Sequence, residues 1–287
     1  MLITLKNILK IAEAENIAIG AFNVTSLEGI RALFKAAEEL NTPVIVQFAN
    51  EAHKQYISLS EIGPVMMQYA ERSKVPACVH LDHGANLDEI REALELGFTS
   101  VMYDGSALSY EKNVAYTNAA VELAESYGAS VEAEIGSMGR EEFLSAGGSA
   151  EDAAVEGAYT DPQQAAQFVE DTGIDALACS FGTVHGIYLS APKLDFDRIK
   201  AIREATGKPV VMHGGSGISD EDFRKCITNG VRKINFYTYA AKFAGEYVKE
   251  KADAQKGNVY FHDMALWAEE SMKKTYLHAI RVFSGKK

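Results

Sequence analysis

Residues 76–84 read Pro76-Ala77-Cys78-Val79-His80-Leu81-Asp82-His83-Gly84, an apolar run that ends in ionisable side chains and a glycine. Apolar strands usually end in turn residues, so two adjacent ionisable groups at a strand end are hard to explain by packing alone. Histidine is a common nitrogen ligand of catalytic metals, and a neighbouring aspartate can move a proton beside it. Taken alone, the stretch fits either a polar strand end or part of a catalytic cluster.

Short apolar runs of this kind alternate with amphipathic segments along the chain. The sequence predicts strands at residues 17–24, 43–48, 76–82, 100–104, 130–136, 176–182, 209–214 and 231–238. It predicts helices between them, at about 26–40, 60–73, 86–97, 109–127, 162–173, 195–206 and 219–229. Alternating strands and helices indicate parallel βα units, and eight such units close a barrel. The expected fold is therefore an α/β, (β/α)8 TIM barrel. An open doubly wound sheet is the alternative, but no G-x-G-x-x-G motif follows the first strand.

The composition is that of a globular protein with a large core. The chain has 287 residues, of which 47% are hydrophobic, and a net charge of −12. That charge argues against nucleic acid or an anionic membrane surface as a partner, although a nest of backbone N–H groups can still bind a small anion. The cysteines lack zinc-finger or redox spacing, no apolar run is long enough to span a bilayer, and the start lacks a signal-peptide layout. We therefore expect a cytoplasmic protein.

Two segments interrupt the alternation of strands and helices. Residues 137–159 are a long connection rich in glycine, alanine, serine and glutamate, and connections of that length are usually functional or disordered. Residues 239–287 contain two further helical patterns, at about 239–254 and 261–283. We therefore expect one domain over residues 1–287, a TIM barrel extended by C-terminal helices.

Polar residues gather at the predicted strand ends. In a (β/α)8 barrel the carboxyl ends of all strands meet on one face, where active sites lie. His83, His185 and His213 stand there after the third, sixth and seventh strands, each near a glycine. Three histidines and an open position suit a catalytic zinc ion, although a single such histidine is more often a hydrogen-bonded residue of the rim. Period-two alternation places Glu132 and Glu134 on the same side of the fifth strand.

The remaining histidines are not expected to bind metal. His80 lies inside the third strand, where a supporting structural role is expected. His53, His262 and His278 lie away from the strand ends. The metal hypothesis therefore concerns the rim histidines alone.

A glycine-rich loop follows the seventh strand. The stretch His213-Gly-Gly-Ser-Gly217 leads into a predicted helix. Free N–H groups before a helix N-terminus can bind an anion, and barrel enzymes often hold phosphate after strands 7 and 8. A plain tight turn is the alternative. The hydroxyls of Ser216 and Thr238 at the same corner favour phosphate.

Together these motifs resemble those of the class II, metal-dependent ketose-phosphate aldolases, the family of the fructose- and tagatose-bisphosphate aldolases. The resemblance covers about residues 5–240 and rests on motifs in a fixed order. They are His80-x-Asp-His-Gly84, Val131-Glu-Ala-Glu-Ile-Gly136 with Glu141-Glu142, Gly182-Thr-Val-His-Gly186, His213-Gly-Gly-Ser-Gly217 and Lys233-Ile-Asn235.

The resemblance implies a zinc ion held by His83, His185 and His213, with Glu134 as an alternative ligand. It also implies a monovalent cation, Na⁺ or K⁺, near the substrate phosphate. Asp82 would donate or accept the proton at the aldehyde oxygen. This agrees with the chemistry, because cleavage of a β-hydroxy ketone needs an electron sink at the carbonyl, which zinc supplies, and a base at the hydroxyl.

The same resemblance assigns residues to the substrate. Glu142 would take part in proton transfer at the nucleophilic carbon, and Asn235 would contact the enediolate. The phosphate of dihydroxyacetone phosphate would be bound by Gly186, Gly214, Ser216 and Thr238. Family members are usually homodimers or homotetramers, so a homo-oligomer that acts on a small ketose phosphate in carbohydrate metabolism is expected.

Two departures from the family pattern concern the far end of the substrate. The family commonly has Asp-Pro-Arg before its last helix, and that arginine reaches the distal phosphate of a bisphosphate. Here the stretch is Asn258-Val-Tyr-Phe-His-Asp263, and no arginine occurs between Arg232 and Arg281. Tyr237 stands where a small or acidic residue is usual. The expected substrate is fructose or tagatose 1,6-bisphosphate, or a ketose 1-phosphate with a 6-deoxy, 6-sulfo or unphosphorylated end, for which Arg140 is a candidate contact.

Three other functions compete with this hypothesis. A Schiff-base aldolase would use Lys233, which shares its inward direction with Asn235 in the eighth strand, but would leave the clustered histidines unexplained. A zinc hydrolase would not need the phosphate corner or Asn235. A non-catalytic barrel that binds a sugar phosphate would not need Asp82.

Overall fold

The computed structural model describes residues 1–136, 159–186 and 192–286, and the backbone of residues 139–140. The strands in these ranges are β1 (Ile19–Asn23), β2 (Val44–Ala49), β3 (Ala77–Gly84), β4 (Ser100–Tyr103), β5 (Ser130–Ile135), β6 (Gly139–Arg140), β7 (Ala176–Cys179), β8 (Val184–His185), β9 (Val210–Met212) and β10 (Val231–Phe236). Eight of them close a parallel barrel in the order β1-β10-β9-β7-β5-β4-β3-β2, while β6 and β8 form a separate ladder. The predicted TIM barrel is confirmed.

Helices surround the barrel and follow its strands. They are α1 (Leu5–Glu15), α2 (Leu27–Glu39), α3 (Asn50–His53), α4 (Leu59–Arg72), α5 (Leu87–Glu95), α6 (Tyr110–Ser126), α7 (Pro162–Thr172), α8 (Phe196–Thr206), α9 (Asp220–Thr228), α10 (Thr238–Ala254) and α11 (Phe261–Ser284). Their starts follow from local chemistry, as at α7, where Asp161 accepts two backbone N–H groups and Pro162 takes the first turn. Among the described helices, none has the length and apolarity needed to cross a bilayer.

The first helix lies across the amino end of the barrel. Its buried residues Leu5, Ile8 and Leu9 pack in one cluster with inward-facing strand residues such as Ile45 and Val211. This apolar plug fills the lower half of the barrel. The sequence pattern did not predict it, because α1 precedes the first strand and lies outside the βα alternation.

The upper half of the barrel interior is polar. His80, Glu132 and Lys233 are fully buried there, together with Gln47. Buried charges destabilise a fold unless they are paired and hydrogen-bonded, so their partners must lie close together in this half. The apolar plug below and the carboxyl ends of the strands above confine these groups beneath the rim.

The C-terminal helices hold the seam at which the barrel closes. In this seam β1 pairs with β10, and Phe283 of α11 stacks on Phe22 of β1 with ring centroids 6.5 Å apart. The half-buried helix α11 also pairs Glu269 with Arg31 at 3.0 Å and with Lys35. The two helices predicted after the barrel are thus confirmed.

Candidate active site

The strand that carries Asp82 and His83 is irregular at this point. His83 has φ 50°, a left-handed conformation that costs a non-glycine residue energy and that is often found at functional sites. The register between β3 and β4 shifts between Leu81 and Gly84. The next residue, Gly84, has to be a glycine, because a Cβ at this position would lie 2.5 Å from the Met102 carbonyl oxygen. Since the pleat is broken, the adjacent side chains of Asp82 and His83 both line the same cavity.

Three histidines from different parts of the barrel meet at this cavity. Ligand nitrogens of His83, His185 and His213 lie within 4.8 Å of one another, an arrangement that can hold a metal ion. Their ring centroids are 4.7 Å apart for His83 and His213 and 5.0 Å apart for His83 and His185. The set of donors is that of a catalytic zinc site, three imidazoles with room for a further ligand.

Two carboxylates orient these rings. Asp104 Oδ2 lies 2.7 Å from His83 Nδ1, and Glu132 Oε1 lies 2.9 Å from His213 Nε2. Each carboxylate therefore fixes one nitrogen of its histidine as the N–H and leaves the other free to bind a metal, as outer carboxylates do in zinc enzymes. The nitrogens left free, His83 Nε2 and His213 Nδ1, are 2.9 Å apart, so both face one point.

The carboxylates around the cavity favour positive charge on the His83 ring. Burial opposes protonation of His83, but Asp82, the hydrogen bond to Asp104 and Glu134 together raise its pKa to about 9. Glu134 is itself buried, and burial together with the charge of Asp104 raises the pKa of its carboxyl well above the ordinary value. His83, Asp104 and Glu134 form a second group of potential metal ligands.

Amide side chains surround the Asp82 carboxylate. Asn23 and Gln47 donate to Oδ2 at 2.9 and 3.1 Å, and Asn235 donates to Oδ1 at 3.0 Å. Burial would raise the pKa of Asp82, but the charges of His83 and neighbouring cations outweigh burial and hold that pKa well below its ordinary value. Asp82 is thus an ionised carboxylate at the floor of the cavity, held by three amide donors.

The amine of Lys233 points away from the cavity. Its Nζ lies 2.9 Å from Glu132 Oε2 and donates to Asn235 Oδ1 at 2.7 Å. Lys233 is fully buried and does not line the cavity. A paired amine in this position is poorly placed to attack a substrate carbonyl, which argues against the Schiff-base alternative.

Glycine loops form the opposite wall. Gly186, Gly214 and Ser216 line the cavity, whose volume is about 330 Å³, and Thr238 lies at its edge at the start of α10. Gly214 has φ 67°, and a Cβ there would lie 2.1 Å from the Val184 carbonyl oxygen. Only glycine lets the two loops approach so closely, and backbone groups and hydroxyls that line a cavity suit a phosphate.

The remaining wall is aromatic, and its histidine was not predicted from the sequence. His53, on the single-turn helix α3 after β2, lines the cavity beside Tyr237, with ring centroids 4.4 Å apart. Burial lowers the pKa of His53, and its Nδ1 has no hydrogen-bond partner among the described residues. Ala49 and Glu51 complete this side. A helix of one turn is too short to show a periodic pattern in the sequence. For that reason α3 was not predicted, and His53 was expected to lie away from the site.

Some predicted residues lie outside the description. Glu142 falls outside the described residues, as does most of the long connection at 137–159. The side chain of Arg140 is likewise not described, but its backbone pairs in β6 with His185 in β8. His262 and His278 lie on exposed surface of α11, away from the cavity.

Sequence reasoning missed several residues that support the site. Asn23, Gln47, Asp104 and Glu132 all contact a predicted site residue directly. A signal was present in each case, since a polar residue interrupts or ends an otherwise apolar strand. Their partners, however, come from other strands and follow only from the closed barrel.

A parallel (β/α)8 barrel with a cavity at the carboxyl ends of its strands, lined by histidines and a carboxylate, has the architecture of a barrel enzyme. The family model that matches is Fructose-bisphosphate aldolase class-II, over residues 3–287. A fructose-bisphosphate aldolase of Staphylococcus aureus (strain N315) is 36% identical over 286 residues, which are 98% of this chain and 97% of the relative.

Comparison with solved structures points to the same family. The X-ray structure of the YdjI aldolase from Escherichia coli K12 superposes with a TM-score of 0.86 and 34% identity, covering 99% of this chain and 97% of that one. The fructose-bisphosphate aldolase of Campylobacter jejuni gives a TM-score of 0.80 at 26% identity, covering 98% and 95%. The chain belongs to the class II fructose-bisphosphate aldolase family. Aldolases are lyases, so a lyase reaction has to explain the arrangement of the site.

Proposed function

We propose that this protein is a zinc-dependent aldolase that reversibly cleaves a ketose phosphate into dihydroxyacetone phosphate and an aldehyde. The observation that carries the proposal is the convergence of His83, His185 and His213 on one point beside Asp82. Asp82 Oδ1 lies 4.0 Å from His83 Nε2, so a proton acceptor stands next to the proposed metal site. Family membership supports the same reaction class.

The residues present fit a zinc ion. His83, His185 and His213 would hold it, and Glu134 would be an alternative ligand, since it shares the second group with His83. A bound zinc ion acts as a Lewis acid that draws electron density from a substrate carbonyl. The carboxylates behind the rings, Asp104 among them, keep the imidazoles oriented for that role.

Asp82 acts on the hydroxyl proton of the bond that is cleaved. In the cleavage direction it accepts the proton of the hydroxyl that becomes the aldehyde oxygen, and in the reverse direction it returns that proton. The three amide donors keep the carboxylate fixed and ionised while it waits for the substrate. Asn235 also contributes its amide to the substrate side, where the enediolate forms.

The phosphate of the substrate would lie at the glycine corner. Gly186, Gly214, Ser216 and Thr238 would bind it through backbone N–H groups and hydroxyls, and a Na⁺ or K⁺ ion would balance part of its charge. Glu142 would transfer the proton at the nucleophilic carbon from the long connection after β5. That last assignment rests on the resemblance of the sequence motif alone.

We assign the far end of the substrate to the side of the cavity formed by His53 and Tyr237, whose lining favours a far end without a phosphate. Among the described residues that line the cavity none is lysine or arginine, and Glu51 adds a negative charge there. The rings of His53 and Tyr237 line this part of the cavity, where a bisphosphate substrate would need a cationic side chain. We therefore favour a ketose 1-phosphate whose far end is unphosphorylated or 6-deoxy. A 6-sulfo or 6-phospho end would need a cation from elsewhere, for which Arg140 is the candidate.

The chain would work as a single domain within a cytoplasmic homodimer or homotetramer, on a small molecule of carbohydrate metabolism and without nucleic acid or membrane partners. The net charge of −12 supports the absence of polyanionic partners. Size-exclusion chromatography with light scattering would measure the oligomeric state directly.

The decisive experiment follows the release of dihydroxyacetone phosphate in a coupled assay. A panel of ketose 1-phosphates and 1,6-bisphosphates would be offered to the enzyme as purified, after chelation and after zinc is returned. The proposal expects turnover that chelation abolishes and zinc restores. Turnover that survives complete removal of metal, or none with any ketose phosphate when zinc is bound, would rule it out.

A further inference from the structure

A buried lysine lies between the two halves of the site. Lys233 has no exposed surface, and its Nζ lies 2.9 and 3.2 Å from the two oxygens of Glu132 and 2.7 Å from Asn235 Oδ1. Burying an ammonium group is costly unless each contact offsets the loss of water. Neither the proton transfer at Asp82 nor the proposed metal ligands use the amine directly, so its presence in the barrel calls for another role.

On one side, Lys233 determines how the Asn235 amide is turned. An amide offers an oxygen that accepts and an NH₂ that donates, and rotation by half a turn exchanges them. Because the ammonium group can only donate, Asn235 must present Oδ1 to Lys233. Its Nδ2 then points at Asp82 Oδ1, to which it donates at 3.0 Å. The lysine thus helps to hold the amide that donates to the proposed proton acceptor.

On the other side, Lys233 supports the carboxylate that holds a proposed metal ligand. Glu132 Oε1 accepts from His213 Nε2 at 2.9 Å while the ammonium group contacts both oxygens. His80 also lies near Oε2, with its Nε2 3.7 Å away. Without the lysine, Glu132 would be a buried carboxylate held by a single hydrogen bond.

We propose that Lys233 is a positioning residue that couples the metal-binding half of the site to the proton-transfer half. The coupling runs through one chain of contacts, from His213 through Glu132, Lys233 and Asn235 to Asp82. This inference rests on the proposed function. It adds that a single buried amine, which touches neither substrate nor metal, fixes the geometry of both.

The test compares Lys233→Met, whose unbranched side chain is one atom shorter and carries no charge, with the wild type. We expect Lys233→Met to bind zinc about 10–100-fold more weakly in competition with a chromophoric chelator, since support of the ligand is lost. We expect kcat to fall by about 10–100-fold while KM for the ketose phosphate changes much less. The visible spectrum of the Co²⁺-loaded protein should also change, because the direction of the His213 ring changes.

Two further variants separate positioning from loss of stability. Val231→Ala removes buried apolar volume from the same strand without touching the chain of contacts, and should leave the Co²⁺ spectrum and kcat unchanged. The double variant Lys233→Met with Glu132→Gln removes both buried charges, so it remains foldable if the single variant is not. Its glutamine oxygen can still accept from His213, so zinc affinity should recover, whereas kcat should stay low because Asn235 has lost its anchor.

The outcomes distinguish the two proposals. Wild-type zinc affinity, Co²⁺ spectrum and kcat in Lys233→Met would overturn the role of Lys233 and leave the aldolase assignment standing. A double variant that regains full kcat would also overturn it. If the wild type binds zinc but cleaves no ketose phosphate, the aldolase assignment fails and the metal measurements still decide whether Lys233 supports His213. A wild type that binds no zinc overturns both.

Discussion

Replacing Asp82 with asparagine probes the proposed proton acceptor with almost no change in volume. The carboxylate accepts from Asn23 and Gln47 at one oxygen and from Asn235 at the other. A carboxamide has a single oxygen, so it cannot accept from all three donors. With that oxygen in the Oδ2 position, the variant keeps the hydrogen bonds from Asn23 and Gln47. Only the bond from Asn235 is lost, because two NH₂ groups then face each other, and this orientation loses the fewest hydrogen bonds.

The expected magnitudes differ for stability and for catalysis. One buried donor left without an acceptor costs about 1–3 kcal/mol of folding stability, which a domain stable by about 5–15 kcal/mol tolerates. Loss of a positioned base or acid lowers kcat by about 10²–10⁴-fold, equivalent to about 3–5 kcal/mol in the barrier. Asp82 is not one of the proposed metal ligands, so Asp82→Asn should still bind zinc. The binding should be weaker, because the variant lacks a negative charge next to the metal site.

The assay is release of dihydroxyacetone phosphate by the zinc-loaded variant, alongside its zinc content and thermal unfolding. Asp175→Asn is the matched control, since it removes a carboxylate that pairs with Lys6 at 3.2 Å at the opposite end of the barrel. The control should keep wild-type kcat. A folded Asp82→Asn variant with kcat within tenfold of the wild type would refute the role of Asp82. Loss of zinc together with activity would show that Asp82 acts on the metal instead.

The other predictions concern the metal and the substrate. Asp104→Asn should weaken zinc binding by about 10–100-fold in a chelator competition, because His83 loses the acceptor that orients it; unchanged affinity would contradict the assignment. Ser216→Ala should raise KM for fructose 1-phosphate by about 10–100-fold, the value of one hydrogen bond to a charged group, with kcat little changed; a fall in kcat alone would place the phosphate elsewhere. Comparison of kcat/KM should favour fructose 1-phosphate over fructose 1,6-bisphosphate, and a strong preference for the bisphosphate would show that a cation serves the far end of the cavity.

Much of the fold could be predicted because buried parallel strands have a simple sequence pattern. Strands such as β9, with every residue buried, read as continuous apolar runs between polar helices. The carboxyl ends of those strands then had to share one face, so His83 and His213 could be expected to meet although 130 positions separate them. The barrel therefore brings residues that are distant in sequence close together in space.

What could not be predicted depends on contacts between strands and on short elements. The roles of Asp104 and Glu132 need the distance from each carboxylate to one ring nitrogen, which no spacing along the chain reveals. His53 was missed because α3 has a single turn. The sequence allows Lys233 as a nucleophile, and only its pairing with Glu132 shows that the amine is occupied.

The seam between β1 and β10 has a consequence for the synthesis of the chain. The hydrogen-bonding edge of Ile19–Asn23 finds its partner only in Val231–Phe236, more than two hundred residues later. Until the ribosome has delivered that last strand, both β1 and the growing end of the sheet carry open edges that can pair with other chains. Helix α11 covers the seam later still. A nascent chain that pauses before residue 231 therefore presents aggregation-prone edges, and the protein should depend on chaperones more during slow translation than its finished barrel would suggest.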